Sequence, residues 1–270
     1  MGRFDHIQRQ ETPGQTPAAD GTGADGTGAQ GTGVEARGAA QFLRQADAAA
    51  ARGALQSALR LYGRALEEDR SLAPAWLGQV RVLLDMGQPE EAATWMEQTA
   101  RVIGEVPGLL ALRALSAVRR GALDEARQWS DRAMRDGQDD PEVWLARAAV
   151  VYASGNGAVA RINLDKAHER APGAHSARRC AEVALDLGDL GVARTWLQRA
   201  EREDPENPLI CLRLGVYHER VGDLDQARHL LQRALQLDPR LELAQVALAD
   251  LDRRSPLARL GARLKHWMGT

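Results

Sequence analysis

Between Pro208 and Pro239 the chain reads PLICLRLGVYHERVGDLDQARHLLQRALQLDP, and its apolar positions fall into two helical stripes. Cys211, Leu214, Gly215 and His218 stand at i, i+3, i+4 and i+7, the spacing that gathers side chains on one face of a 3.6-residue helix. Gly222 and Asp223 follow with the turn chemistry of a helix end. A second stripe then runs through Ala227, Leu230, Leu231, Ala234 and Leu237. Asp238-Pro239 stops it, because proline cannot continue a helix and biases the residue before it away from helical angles. The stretch predicts a helical hairpin of about 34 residues. So small a unit cannot bury a core alone, and copies of it are expected along the chain.

Small residues mark the copies. Gly222 recurs as Gly188, Gly155, Gly121, Gly87 and Gly53, and five places after each stands an alanine: Ala227, Ala193, Ala160, Ala126, Ala92 and Ala58. The late small residue of the second helix recurs as Ala65, Thr99, Ala133, Ala167, Ala200 and Ala234. In the first helix the series is Ala46, Val80, Ala114, Ala148, Ala181 and Gly215. Small side chains at fixed places let helix backbones approach closely, so the periodicity is a packing rule.

This pattern resembles the tetratricopeptide repeat family over residues 39 to 241. The family's early aromatic of the first helix stands at Phe42, Trp76 and Trp144, and its second-helix aromatic at Tyr62. Its closing proline stands at Pro172, Pro205 and Pro239, while Arg70, Gly104 and Gln138 occupy the earlier ends. The resemblance implies an all-α, right-handed solenoid of six hairpins over residues 39–72, 73–106, 107–140, 141–173, 174–207 and 208–241. The junction between the fourth and fifth units is one residue short. Residues 242–254 then start like a seventh first helix and read as a capping helix.

The flanks differ from the repeats in composition. Residues 1–38 hold GTGAD, GTGAQ and GTGVE in tandem, too few apolar side chains to offset ordering entropy, and read as a disordered arm and linker. Gly21, Gly23 and Gly26 match a GxGxxG spacing, but no strand precedes and no helix opens, so no nucleotide fingerprint is assigned. Two readings stand for the start of the arm: a disordered terminus, or a short linear motif built on Arg3, Phe4, Asp5, His6 and Ile7 that docks on a partner or a second copy. Residues 255–270 place Leu257, Leu260, Leu264 and Trp267 on one stripe with Arg259, Arg263 and His266 opposite, a basic amphipathic helix. It packs on the cap, or Arg259, Arg263, Lys265 and Trp267 meet a membrane surface or partner.

Over 270 residues the formal charge is −2, which gives no nucleic-acid signature, and nucleic-acid partners are not expected. Cys180 and Cys211 fall on first-helix core positions and read as buried thiols of a reducing compartment, with a disulfide as the alternative. No window approaches a spanning segment, and MGRFDHIQRQE turns polar at once without a secretory core, so a soluble bacterial protein of the cytoplasm is expected. The histidines never form the i, i+4 pair of a helical zinc site, and no strand-turn-helix presents a nucleophile. No catalytic residue, metal or cofactor is assigned.

The resemblance places function on the first helices, which in this family line a concave groove that commonly holds a peptide. The inner places of this chain give Leu77, Arg81 and Leu84, then Leu115, Leu145 and Tyr152. They continue with His175, Arg178, Arg179 and Glu182, and end on Leu212, Arg213 and Val216. Such a surface suits a peptide with hydrophobic anchors and an acidic group. The alternative use of its leucines is packing against the neighbouring helix. Leu43 and Asp47 stand where chaperone-binding members carry their carboxylate clamp, so that clamp is not expected. Trp95, Trp129 and Trp196 recur at one place of the second helices, and read as packing residues. The expected function is a non-enzymatic scaffold or adaptor for a protein or peptide; the alternative is a peripheral membrane assembly protein that self-associates through its arm.

Overall fold

The computed structural model describes residues 28–254, with side chains from 37 to 253. Among the described residues there are thirteen helices and no strand. The six hairpins are α1 (Gly28–Ala51) with α2 (Leu55–Glu68), α3 (Ala73–Asp85) with α4 (Pro89–Ile103), α5 (Pro107–Arg119) with α6 (Leu123–Asp136), α7 (Pro141–Ala153) with α8 (Gly157–Arg170), α9 (Ala174–Asp186) with α10 (Leu190–Glu203), and α11 (Pro208–Val221) with α12 (Leu224–Leu237). The last helix, α13 (Glu242–Arg254), packs on α12 and α11. From the second hairpin on, each first helix packs on its own second helix, and α5, α7, α9 and α11 also follow one another in a row. The compact unit that carries the repeats begins at Glu35.

The recurring glycines end the first helices in one way. All six have positive φ, from 71° at Gly87 to 87° at Gly155. In each, the glycine amide bonds three residues back and the next amide five residues back, as Gly222 does to Glu219 (3.1 Å) and Asp223 to His218 (2.9 Å). This is the left-handed helix ending that glycine adopts without steric cost. It redirects the chain so that the alanine five places on faces the first helix. Those six alanines are no more than 1% exposed. At Gly215 a Cβ would lie 2.9 Å from Leu231, which shows why the first helix is small there.

The aromatics pack both within hairpins and across the junctions between them. The Trp76 and Trp144 indoles donate to the carbonyls of Arg70 and Gln138, at 2.8 and 2.7 Å, closing the junction before each helix. Trp95 packs at a tilt on Trp76 with ring centres 5.6 Å apart, and Trp196 likewise on His168 at 5.1 Å. The guanidiniums of Arg113 and Arg132 both lie over the Trp129 ring, 4.9 Å from its centre. Where the fourth junction is one residue short, Gly173 makes the bend at φ 134°.

Two features depart from the expected layout. Helix α1 reaches back to Gly28, so residues 28–38, expected in the linker, continue the first helix. The first and sixth hairpins also meet, although the repeat pattern describes only neighbours. Asn207 Nδ2 donates to the Ala51 carbonyl at 2.9 Å, and Leu209 lies over Gly53, where a Cβ would stand 2.8 Å from its Cγ.

Candidate functional site: the first-helix face

Helix α9 carries the centre of the site. Ala177, Cys180, Ala181 and Ala184 turn to the core, and the intervening Arg178, Arg179 and Glu182 are thereby aimed toward the other first helices. Arg179 Nη1 lies 2.9 Å from Asp85 on α3 and 3.3 Å from Glu182; its Nη2 lies 2.6 Å from Glu142 on α7. Arg81 on α3 reaches the second Glu142 oxygen at 3.0 Å. Glu182 also binds Arg178 on its own helix and Arg213 on α11, the latter at 2.8 Å. Four arginines and three carboxylates so join α3, α7, α9 and α11.

The network is dry at its middle. The Arg178, Arg179, Glu142 and Glu182 side chains are 7% exposed or less, whereas Arg81 keeps 29% and Arg213 23%. Burial would raise the Glu182 carboxyl, but Arg178, Arg213 and Arg179 outweigh it and hold it well below the usual carboxylate range. Burial likewise opposes ionisation of Glu142, and Arg179 and Arg81 bring it down to about 2. His175 feels the opposite pull: burial, then Arg178 and Arg179 beside it, lower it to about 3. A neutral His175 suits its contact, because Arg178 Nη2 donates toward its Nδ1 at 3.3 Å.

The other residues expected in the groove divide into three groups. Leu84, Leu115, Leu145 and Leu212 are buried, the last three inside the apolar clusters between hairpins. They therefore do not line an open channel; packing against neighbouring helices takes them. Leu77 lies against Gly108 and is half-buried, and Val216 is half-buried beside the last cluster. Tyr152 stands apart, near the end of α7 against Gly157, where burial and then the Asp189 charge push its phenol up. Arg3, Phe4, Asp5, His6, Ile7, Arg259, Arg263, Lys265 and Trp267 lie outside the described residues. Among the described residues no helix is long and apolar enough to cross a membrane.

Two network members were not singled out from the sequence, Asp85 and Glu142. Glu142 sits in the first turn of α7, where an acid reads as a partner of the helix dipole. Asp85 ends α3 beside a turn. A surplus of arginine at the inner places of units two, five and six was the available signal, since such a surplus calls for carboxylates from elsewhere.

Comparison with protein-family models gives the same repeat. Models described as tetratricopeptide repeat match residues 49–115, 145–208 and 208–241. None of the curated proteins matches. Solved structures similar in fold include a chain of the APC/C hetero-tetramer Cut9-Hcn1 (TM-score 0.47, 14% identity), matched over 79% of this chain and 42% of that one. This chain thus spans less than half of that relative. Others are a tetratricopeptide repeat protein from Parabacteroides merdae (0.49, 15%, 79% and 84%) and Pseudomonas aeruginosa pilF (0.42, 17%, 80% and 99%). With its six glycine-ended hairpins and these matches along most of their length, the chain belongs to the tetratricopeptide repeat proteins, a fold of protein-interaction scaffolds.

Proposed function

We propose that the chain is a non-enzymatic scaffold that holds a segment of a partner protein against the first-helix face of its repeats. The observation that carries this reading is the convergence of α3, α7, α9 and α11 on one charged surface at which Arg81 and Arg213 keep contact with solvent. Leu77 on α3 and Val216 on α11 add half-buried apolar contacts on the same helices. A segment bringing apolar side chains and a carboxylate suits that chemistry, because a guanidinium binds a carboxylate in a fixed planar geometry. Tyr152, near the end of α7, is a less central contact than the repeat pattern alone implied.

Peptide display on the immobilised full chain tests the reading. The selected peptides are expected to combine an acidic residue with spaced apolar anchors. Arg213→Ala with Val216→Asp is expected to weaken them tenfold or more at an unchanged circular-dichroism spectrum, while Ile162→Asp, on exposed α8 surface, leaves them unaffected. Equal affinity for all three proteins would move the site off the first helices.

A further inference from the structure

Distant repeats of this chain meet in part by different means from neighbouring ones. Neighbours interlock through alanine, leucine and tryptophan, in clusters with many fully buried methyl groups. Repeats two and five instead meet where Arg179 reaches Asp85, and repeats two and four where Arg81 reaches Glu142. Repeats one and six meet at the bond from Asn207 to Ala51 and at Leu209 over Gly53. Beside that seam lies a cleft of ≈ 970 Å³ between the turn at Arg52–Arg60 and the chain at Leu237–Gln245. Ion pairs of this kind exchange for hydration at little net cost, because desolvation offsets much of their attraction. Alanine-lined helix contacts have no such exchange.

We propose that the cross-turn ion network and the Asn207 seam form a latch: the solenoid opens there, with its hairpins intact, and the opening uncovers the inner face for a partner. The admission of a partner rests on the function proposed above; the opening does not. In the closed state Arg179 and Glu182 fill the centre of that face, so a segment longer than the edge at Arg81 and Arg213 must displace them. An incoming carboxylate compensates by taking a guanidinium that Asp85 or Glu142 gives up. The partner chemistry that fits the edge is therefore the chemistry that releases the latch.

Labels at Arg52→Cys and Arg240→Cys, two exposed residues of the cleft walls, report the opening. The natural thiols stay unlabelled, since burial covers both and pushes Cys180 up to about 12 and Cys211 upward as well. Electron–electron resonance on the full chain is expected to give one narrow distance. In Arg179→Met, and in Asn207→Ser, which keeps a capping oxygen for α11 but loses the donation to Ala51, that distance is expected to lengthen beyond the original width. Anilinonaphthalene sulfonate fluorescence should rise several-fold as the inner face is uncovered, with helical content unchanged. A folded Arg179→Met and Asn207→Ser with the parental distance and dye signal would overturn the latch. If Arg179→Met does not fold, Asn207→Ser decides alone. A lengthened distance with no gain in affinity for the displayed peptides supports the latch and refutes the inner face as their seat. A fixed distance refutes the latch and leaves the edge at Arg213 and Val216 to be judged by its own variants.

Discussion

At Ala160 two helices of one hairpin meet through a methyl group 1% exposed, while at Arg179 helices three repeats apart meet through a guanidinium and a carboxylate. The first contact repeats in all six hairpins with the same residue type at the same place; the second occurs once. A periodic interface needs only to satisfy a local steric condition, so short-range sequence is enough to specify it. A cross-turn interface depends on where the turn of the solenoid brings distant units. Long arginines tolerate small errors in that placement better than interlocked methyl groups do. The difference assigns rigidity to the hairpins and adjustability to the centre.

Removing a carboxylate from the centre is the strongest way to break this comparison. Glu182→Ala leaves Arg178 and Arg213 without their buried counter-charge, and is expected to cost about 3–5 kcal/mol in urea denaturation. A loss below about 1 kcal/mol would show that water already reaches the network.

Acid probes the same centre. His175 has its folded pKa lowered to about 3, so the unfolded chain binds its proton first. Its contribution is complete above pH 6.5 and declines as pH falls from there toward 3. Glu142, brought down to about 2 from an ordinary 4.5, adds a loss that starts only below pH 4.5. Through His175 alone, stability is therefore expected to fall by at most about 3 kcal/mol between pH 6.5 and 4.5, two pH units at 1.36 kcal/mol each, and His168, also lowered by burial, adds to the same slope. His175→Gln, which keeps an acceptor for Arg178, should flatten that slope in denaturation measured at each pH.

Overfilling a neighbour interface gives a smaller effect of a different character. Ala126→Leu places three more carbons in a fully buried site and is expected to cost about 1–3 kcal/mol, with the same slope against pH as the parent. Smallest of all is an exposed pair. Arg120→Ala, which frees Glu125 from a bond between two half-exposed side chains, should change the melting free energy by less than about 1 kcal/mol. If Ala126→Leu and Glu182→Ala responded alike to pH, the two kinds of interface would not be distinct.

Much of the fold was legible in the sequence. Gly53 to Gly222 and Ala58 to Ala227 are visible because every copy meets the same condition: a left-handed helix end, then a side chain small enough for a close crossing. The site was legible only in part. Arg81, Arg178, Arg179, Glu182 and Arg213 stand at inner places, but their partners Asp85 and Glu142 belong to other units, and no spacing rule connects residue 85 to residue 179. The leucines were ambiguous for a simpler reason. An apolar residue beside the core stripe serves a groove or a neighbouring helix equally well, and at Leu115, Leu145 and Leu212 the neighbour takes it.

The central claim is that a partner segment rests on the first-helix side of the repeats. A photo-crosslinking amino acid at Val216, compared with one at Ile162 on exposed α8 surface, tests it with a display-selected peptide. The account predicts a covalent adduct at position 216 and none at 162; an adduct at 162 with none at 216 would contradict it.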